Sequence, residues 1–112
     1  MFEAVEEISS YAKIQNKNFK YFVKKLKVFV GKKESIEIEE DEQHIGVSES
    51  KKIDKKHVYI FWEKGNWHLK NLSKYRVYVN KVKVLRDNSI KLDEISAIMI
   101  RRTKFYFFQA IN

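Results

Sequence analysis

Apolar and polar residues alternate two by two along most of the chain, from Lys25 to Phe108. In "KLKVFVGK", Leu26, Val28 and Val30 alternate with Lys25, Lys27 and Phe29. "HVYIFW" sets Val58, Ile60 and Trp62 on one face, and "NWHL" does the same with Trp67 and Leu69. Between these runs "EKGN" supplies a short turn in which Gly65 is free to take positive φ, so the pattern predicts a hairpin over 58–72. "RVYVNKVKVL" alternates through Val77, Val79, Val82 and Val84, with Asn80 and Lys81 as a tight turn between its halves. "SIKL", "ISAIMI" and "KFYFF" continue the series. Two stretches differ. Near the start, Phe2, Val5 and Ile8 stand at helical spacing and predict one or two helical turns. In the acidic run "ESIEIEEDEQ", Ile36 and Ile38 alternate with Ser35, Glu37 and Glu39, which predicts a short edge strand and then a solvated loop as far as Gln43. Short strands at spacings of roughly ten residues, without a βαβ rhythm, predict an all-β sandwich or small barrel.

Composition narrows the picture. A chain of 112 residues, read as one domain over 1–112 with a core from about 11 to 108, buries roughly two thirds of the surface its unfolded form exposes. The aromatic content of 14% is mostly Phe and Tyr, which suits pleated, half-buried strands. Lys and Arg number 23 against 15 acids, and the resulting +8 favours an anionic partner: phosphate, nucleic acid or an acidic peptide. Cysteine is absent, so there is neither a disulfide framework nor thiolate chemistry. Proline is absent as well, and no linker, repeat or domain boundary shows. No apolar run approaches the ~18 residues of a membrane span, and "MFEAVEEISS" lacks the layout of a signal peptide. The expectation is a soluble intracellular chain with no membrane partner. His44 and His68 have no cysteine or histidine at metal-ligand spacing, and the chain carries no phosphate-cradling glycine loop, dinucleotide fingerprint or nucleophile elbow. No catalytic residue, metal or cofactor is expected.

Four segments carry a likeness: "SYAKIQNKNFKYFVKKLKVFVGKK", "HIGVSESKKIDKKHVYIFW", "WHLKNLSKYRVYVNKVKV" and the final "KFYFF". In this order they resemble a forkhead-associated (FHA) domain, of the type found in forkhead-like transcription factors of the fungal and K-class kinds. The resemblance spans Tyr11 to Phe108. It implies an FHA-type β-sandwich of about eleven strands, in a nuclear transcription regulator, whose loops at one end bind a phosphothreonine peptide of a protein partner. The family's glycine and arginine fall on Gly31 and Lys32, its serine and histidine on Asp54 and His57, and its asparagine and glycine on Tyr75 and Arg76. Gly31 and His57 are kept; the other four positions differ.

Each difference has a chemical consequence. Lys32 keeps a cation but gives up the planar, two-pronged donor geometry of arginine. Asp54, when ionised, offers a phosphate no hydrogen bond, and two like charges ~4 Å apart repel by roughly 4 kcal/mol at an effective dielectric near 20. Tyr75 has no amide to hold a peptide backbone. Lys55 and Lys74, with Lys32, are the candidates to offset Asp54 around a phosphate. Alternatively Asp54 pairs internally with Lys32, Lys55 or Lys74, which leaves the loop end self-neutralised and open to unmodified partners. A separate reading is a basic domain that binds single-stranded nucleic acid, with lysines, arginines and rings interleaved in "KNFKYFVKK" and "RRTKFYFF".

Overall fold

β-Branched and aromatic residues at period two build strands throughout a computed structural model that describes residues 10–110. The helical turns expected around Phe2, Val5 and Ile8 lie outside the described residues. Eleven strands follow one another: β1 (Ala12–Gln15), β2 (Lys20–Val23), β3 (Lys27–Lys32), β4 (Glu42–Ser48), β5 (Val58–Glu63), β6 (Asn66–Asn71), β7 (Val77–Val79), β8 (Val82–Val84), β9 (Ser89–Lys91), β10 (Ile95–Ile100) and β11 (Thr103–Gln109). They form a six-stranded sheet, in the order β2-β1-β11-β10-β7-β8, and a five-stranded sheet, in the order β4-β3-β5-β6-β9. This is the all-β sandwich that the alternation predicts. Inward residues of both sheets meet in one core, with Ile14, Val28, Val30, Ile60, Leu69, Ile98, Phe105 and Phe107 among those fully buried. Trp67 of one sheet meets Phe107 of the other edge to face, with centroids 5.5 Å apart.

Register explains the turns. The predicted hairpin over 58–72 forms between β5 and β6, with Trp62 opposite Trp67 and Glu63 opposite Asn66. Its two turn residues, Lys64 and Gly65, take φ of 52° and 81°. Asn80 and Lys81 do the same at 51° and 69° between β7 and β8, the mirror-image turn that matches strand twist.

One expectation needs correction. The acidic run forms no strand at Ile36 and Ile38, and β4 already begins at Glu42, inside the expected loop. The reason is topological: β3 and β4 are parallel, with Lys27 opposite Glu42, so residues 33–41 must return the chain to the starting end of the sheet. Trp62 is 42% exposed because its strand runs past the edge of the core, where the ring rests on Trp67. Leu26 precedes β3 and Val82 sits on the edge strand β8, so both are exposed although they fall in phase with buried neighbours. The end of β3, the β4–β5 and β6–β7 loops and the β10–β11 turn gather at one end of the sandwich, its loop end.

Candidate functional site at the loop end

Gly31 is where β3 touches the β4–β5 loop. A Cβ there would fall on the carbonyl oxygens of Asp54 and Lys55, so the contact requires a residue without a side chain. The next residue fastens the same loop: the Lys32 N–H donates to the Asp54 carbonyl at 2.9 Å. His57 lies underneath, fully buried. Its backbone N–H donates to Val30 at 3.0 Å, its carbonyl accepts from Leu72 at 3.0 Å, and its Nδ1 accepts the Asp54 N–H at 3.0 Å. His57 thereby ties β3, the β4–β5 loop and the start of the β6–β7 loop together. His44 on β4 adds a further tie, its Nε2–H donating to the Lys55 carbonyl at 2.8 Å.

The structure therefore brings Gly31, Lys32, Asp54, Lys55 and His57 together, and it places among them a residue that the sequence did not single out. Glu34 spans the two lysines, with one carboxylate oxygen 3.2 Å from Lys32 Nζ and the other 3.2 Å from Lys55 Nζ. Hydrogen bonds from Lys32 and then Lys55 hold the Glu34 carboxyl below the usual carboxylate range. Asp54, the residue expected to pair internally, takes part in no ion pair among the described residues. The neutralising acid is thus Glu34, because Asp54 contributes its backbone, not its carboxylate, to the contact with Lys32. Only topology could have revealed this, since Glu34 and Lys55 are 21 residues apart in the chain.

Lys74, Tyr75 and Arg76 follow one another on the β6–β7 loop. They line a pocket of about 460 Å³ with Tyr78, Arg101 and Arg102. The Arg101 guanidinium carbon lies 3.9 Å from the Tyr75 ring centroid, and Lys74 Nζ lies 5.4 Å from it. Two polar residues, unremarked in the sequence, shape this loop. Buried Asn71 donates from Nδ2 to the Tyr75 carbonyl at 2.7 Å and to the Val84 carbonyl at 2.9 Å, and its Oδ1 accepts the Ser73 N–H at 2.8 Å. Ser73 Oγ then accepts the Tyr75 N–H at 3.0 Å. The sequence carries a clue in Asn71 at the end of a strand with Ser73 two residues on, which is where side chains stand in for missing ladder bonds. In "KNFKYFVKK" and "RRTKFYFF" the rings divide between two faces. Phe19, Tyr21, Phe105 and Phe107 pack on or in the core, while Lys20 and Lys104 sit over the outward rings of Phe22 and Tyr106.

Burial pushes the His57 imidazole below the ordinary histidine value; the Asp54 charge opposes this and the Arg101 charge adds to it. With Nδ1 accepting a hydrogen bond, the neutral ring carries its proton on Nε2, which is buried without a hydrogen-bond partner among the described residues. Protonation would break the tie to Asp54 and bury a charge. The unfolded chain therefore takes up this proton first. Stability is expected to fall as pH drops below about 6.5, by at most about 1.4 kcal/mol per pH unit. Urea denaturation at stepped pH checks this, and His57→Gln should remove the slope. A separate loss below about pH 4.5 belongs to Glu34 and Asp41, whose folded values are lowered by their lysine partners.

With this geometry in place, comparison with known proteins settles the family. A family model of the FHA domain matches residues 28–101, more than half of the chain. The chain belongs to the FHA-domain family. Its relatives include the fork-head transcriptional regulator FHL1 of Candida albicans, 29% identical over 107 residues that make up 94% of this chain. This FHA domain spans only 9% of that regulator's length. Among solved structures, the MEK1 FHA domain in complex with a HOP1 phosphothreonine peptide has a TM-score of 0.69 at 17% identity, covering 91% of this chain and 99% of that one. Mycobacterium tuberculosis EmbR in complex with a low-affinity phosphopeptide gives 0.71 at 15% identity, covering 99% of this chain and 29% of that one. At such identities the likeness establishes the sandwich fold.

Proposed function

We propose that this FHA domain is a protein–protein interaction module of a forkhead-like transcription regulator, working in the nucleus, whose phosphothreonine site is altered so that phosphate is no longer required. One observation carries the reading: the Glu34 carboxylate already spans Lys32 and Lys55, the cations nearest the phosphate position that the family resemblance implies. An incoming phosphate would have to displace that carboxylate, and the Asp54 charge stands beside the same place. The likeness to a fork-head regulator supports the nuclear setting, and the intact Gly31 and His57 contacts support a loop end still shaped for a partner.

Calorimetry with matched phosphothreonine and threonine peptides tests the proposal on the native chain. The expected result is a preference for the phosphorylated peptide below about tenfold, or 1.4 kcal/mol. A larger preference would mean that the site still reads phosphate.

A further inference from the structure

The two outer faces of the sandwich are built differently. On the five-stranded sheet Phe29, Tyr59, Phe61 and His68 stack on one another at centroid separations of 4.8, 4.8 and 5.4 Å, so their ring faces are already used. The six-stranded sheet instead leaves an open groove of about 700 Å³, floored by Tyr78, Ala97, Met99 and Tyr106. Strand register sets these residues side by side: Met99 stands between Tyr78 and Lys104, and Ala97 stands opposite Tyr106. Met99 is 38% exposed and Tyr106 37%, an apolar floor partly roofed by Lys104, whose Nζ lies 5.5 Å from the Tyr106 ring centroid.

Charge gives this groove a direction. Lys81 and Lys104 line it, and Tyr78 also lines the pocket formed by Lys74, Arg76, Arg101 and Arg102, so the groove opens into that cation cluster at the loop end. Among the described residues no acid lines either hollow and none of these six cations takes part in an ion pair. Arg101 adopts φ of 55°, a backbone unfavourable for arginine, and its guanidinium sits over Tyr75. By contrast Lys32 and Lys55 share the Glu34 carboxylate, which offsets one of their two charges. The head of the groove thus carries four cations with no acidic partner among the described residues.

We infer that the groove and the cation cluster at its head form one docking surface for an unphosphorylated, acidic and amphipathic segment of a partner protein. Its apolar side chains rest on Met99 and Tyr106, and its carboxylates meet the forked donors of Arg76, Arg101 and Arg102. A protein segment fits better than a nucleic-acid strand. Stacking a strand needs successive free ring faces, whereas Arg101 sits over Tyr75 and Lys104 over Tyr106, so Tyr78 alone offers an open ring beside alanine and methionine among the described residues of the floor. The inference deepens the preceding reading and rests on it in one respect, that no phosphate is needed.

The test uses the full chain and a peptide of about twelve residues, ~40 Å when extended, in which glutamate and leucine alternate. Parallel titrations use polyglutamate and oligothymidine of equal charge and a phosphothreonine peptide. Expected are saturable binding of the alternating peptide and amide shifts at Tyr78, Ala97, Met99 and Arg101. Met99→Glu should weaken binding about tenfold or more, and so should the exposed pair Arg76→Glu/Arg102→Glu, with folding checked from spectral dispersion. Equal binding of polyglutamate, tighter binding of oligothymidine, or no loss in folded variants would overturn the inference. A phosphothreonine peptide that binds preferentially and shifts Lys32 and Asp54, while the alternating peptide still shifts Met99, would overturn the preceding reading alone.

Discussion

Gly31→Ala is expected to lower stability by roughly 2–4 kcal/mol. The added methyl would meet two backbone carbonyls, those of Asp54 and Lys55, which cannot swing aside as a side chain can. Relief requires the turn at 54–56 to lift off β3. That movement lengthens the Lys32–Asp54 hydrogen bond, now 2.9 Å, and the Asp54–His57 bond, now 3.0 Å. Overpacking costs about 1–3 kcal/mol, and the two weakened hydrogen bonds together about 1 kcal/mol more. Gly65 is the internal control. It takes φ of 81° with open space around its missing Cβ, so Gly65→Ala carries only a backbone penalty of about 1 kcal/mol. Urea denaturation of the two variants against the native chain checks both values. A loss at position 31 no larger than that at position 65 would show that the loop contact is soft.

Replacing Glu34 by Gln and Asp54 by Ser together should convert the loop end into a site that prefers phosphothreonine. The first change frees Lys32 and Lys55, whose only acidic partner among the described residues is Glu34. The second removes a like charge and adds a hydroxyl donor. Relief of the repulsion is worth about 1 kcal/mol if water screens it fully and up to ~4 kcal/mol at an effective dielectric near 20. A hydrogen bond to a charged group adds about 1.5–3 kcal/mol. Even the low end of that sum, about 2.5 kcal/mol, exceeds a tenfold gain in affinity, and the middle of the range is of order a hundredfold or more. Fluorescence anisotropy of a labelled phosphothreonine peptide measures it. Neither change should alter stability appreciably, because the Glu34 pairs are exposed and Asp54 meets its neighbours through its backbone. If affinity is unchanged, Tyr75 and Arg76, where the family has asparagine and glycine, become the residues that close the site.

The strands were legible because their chemistry is local. Val28 and Val30, Val77 and Val79, and Phe105 and Phe107 announce their inward face by spacing alone, and the Lys64–Gly65 and Asn80–Lys81 turns by residue type. β4 was less legible. "EQHIGVS" buries only Ile45 and Val47, and its parallel pairing with β3 depends on a return loop that looks, residue by residue, like one more alternating strand. In the site, Gly31 and His57 could be named from the resemblance, but their reasons are spatial. One leaves room for two carbonyls, and the other accepts a backbone N–H from underneath. The Glu34 bridge and the stacking of Arg101 on Tyr75 join residues far apart in the chain, so no spacing rule exposes them. Asp54 stands out in the sequence as the acid that would hold the lysines, yet its carboxylate remains unpaired among the described residues and Glu34 holds them instead.

The claim on which the rest depends is that the Glu34 carboxylate, not a ligand, occupies Lys32 and Lys55. Carbon-detected NMR titration of the Glu34 side-chain carboxyl follows this directly in the native chain and in a Lys32→Ala/Lys55→Ala variant. The bridge predicts a native midpoint below the ordinary glutamate value of about 4.3 and a rise toward that value in the variant. The same midpoint in both proteins would contradict it.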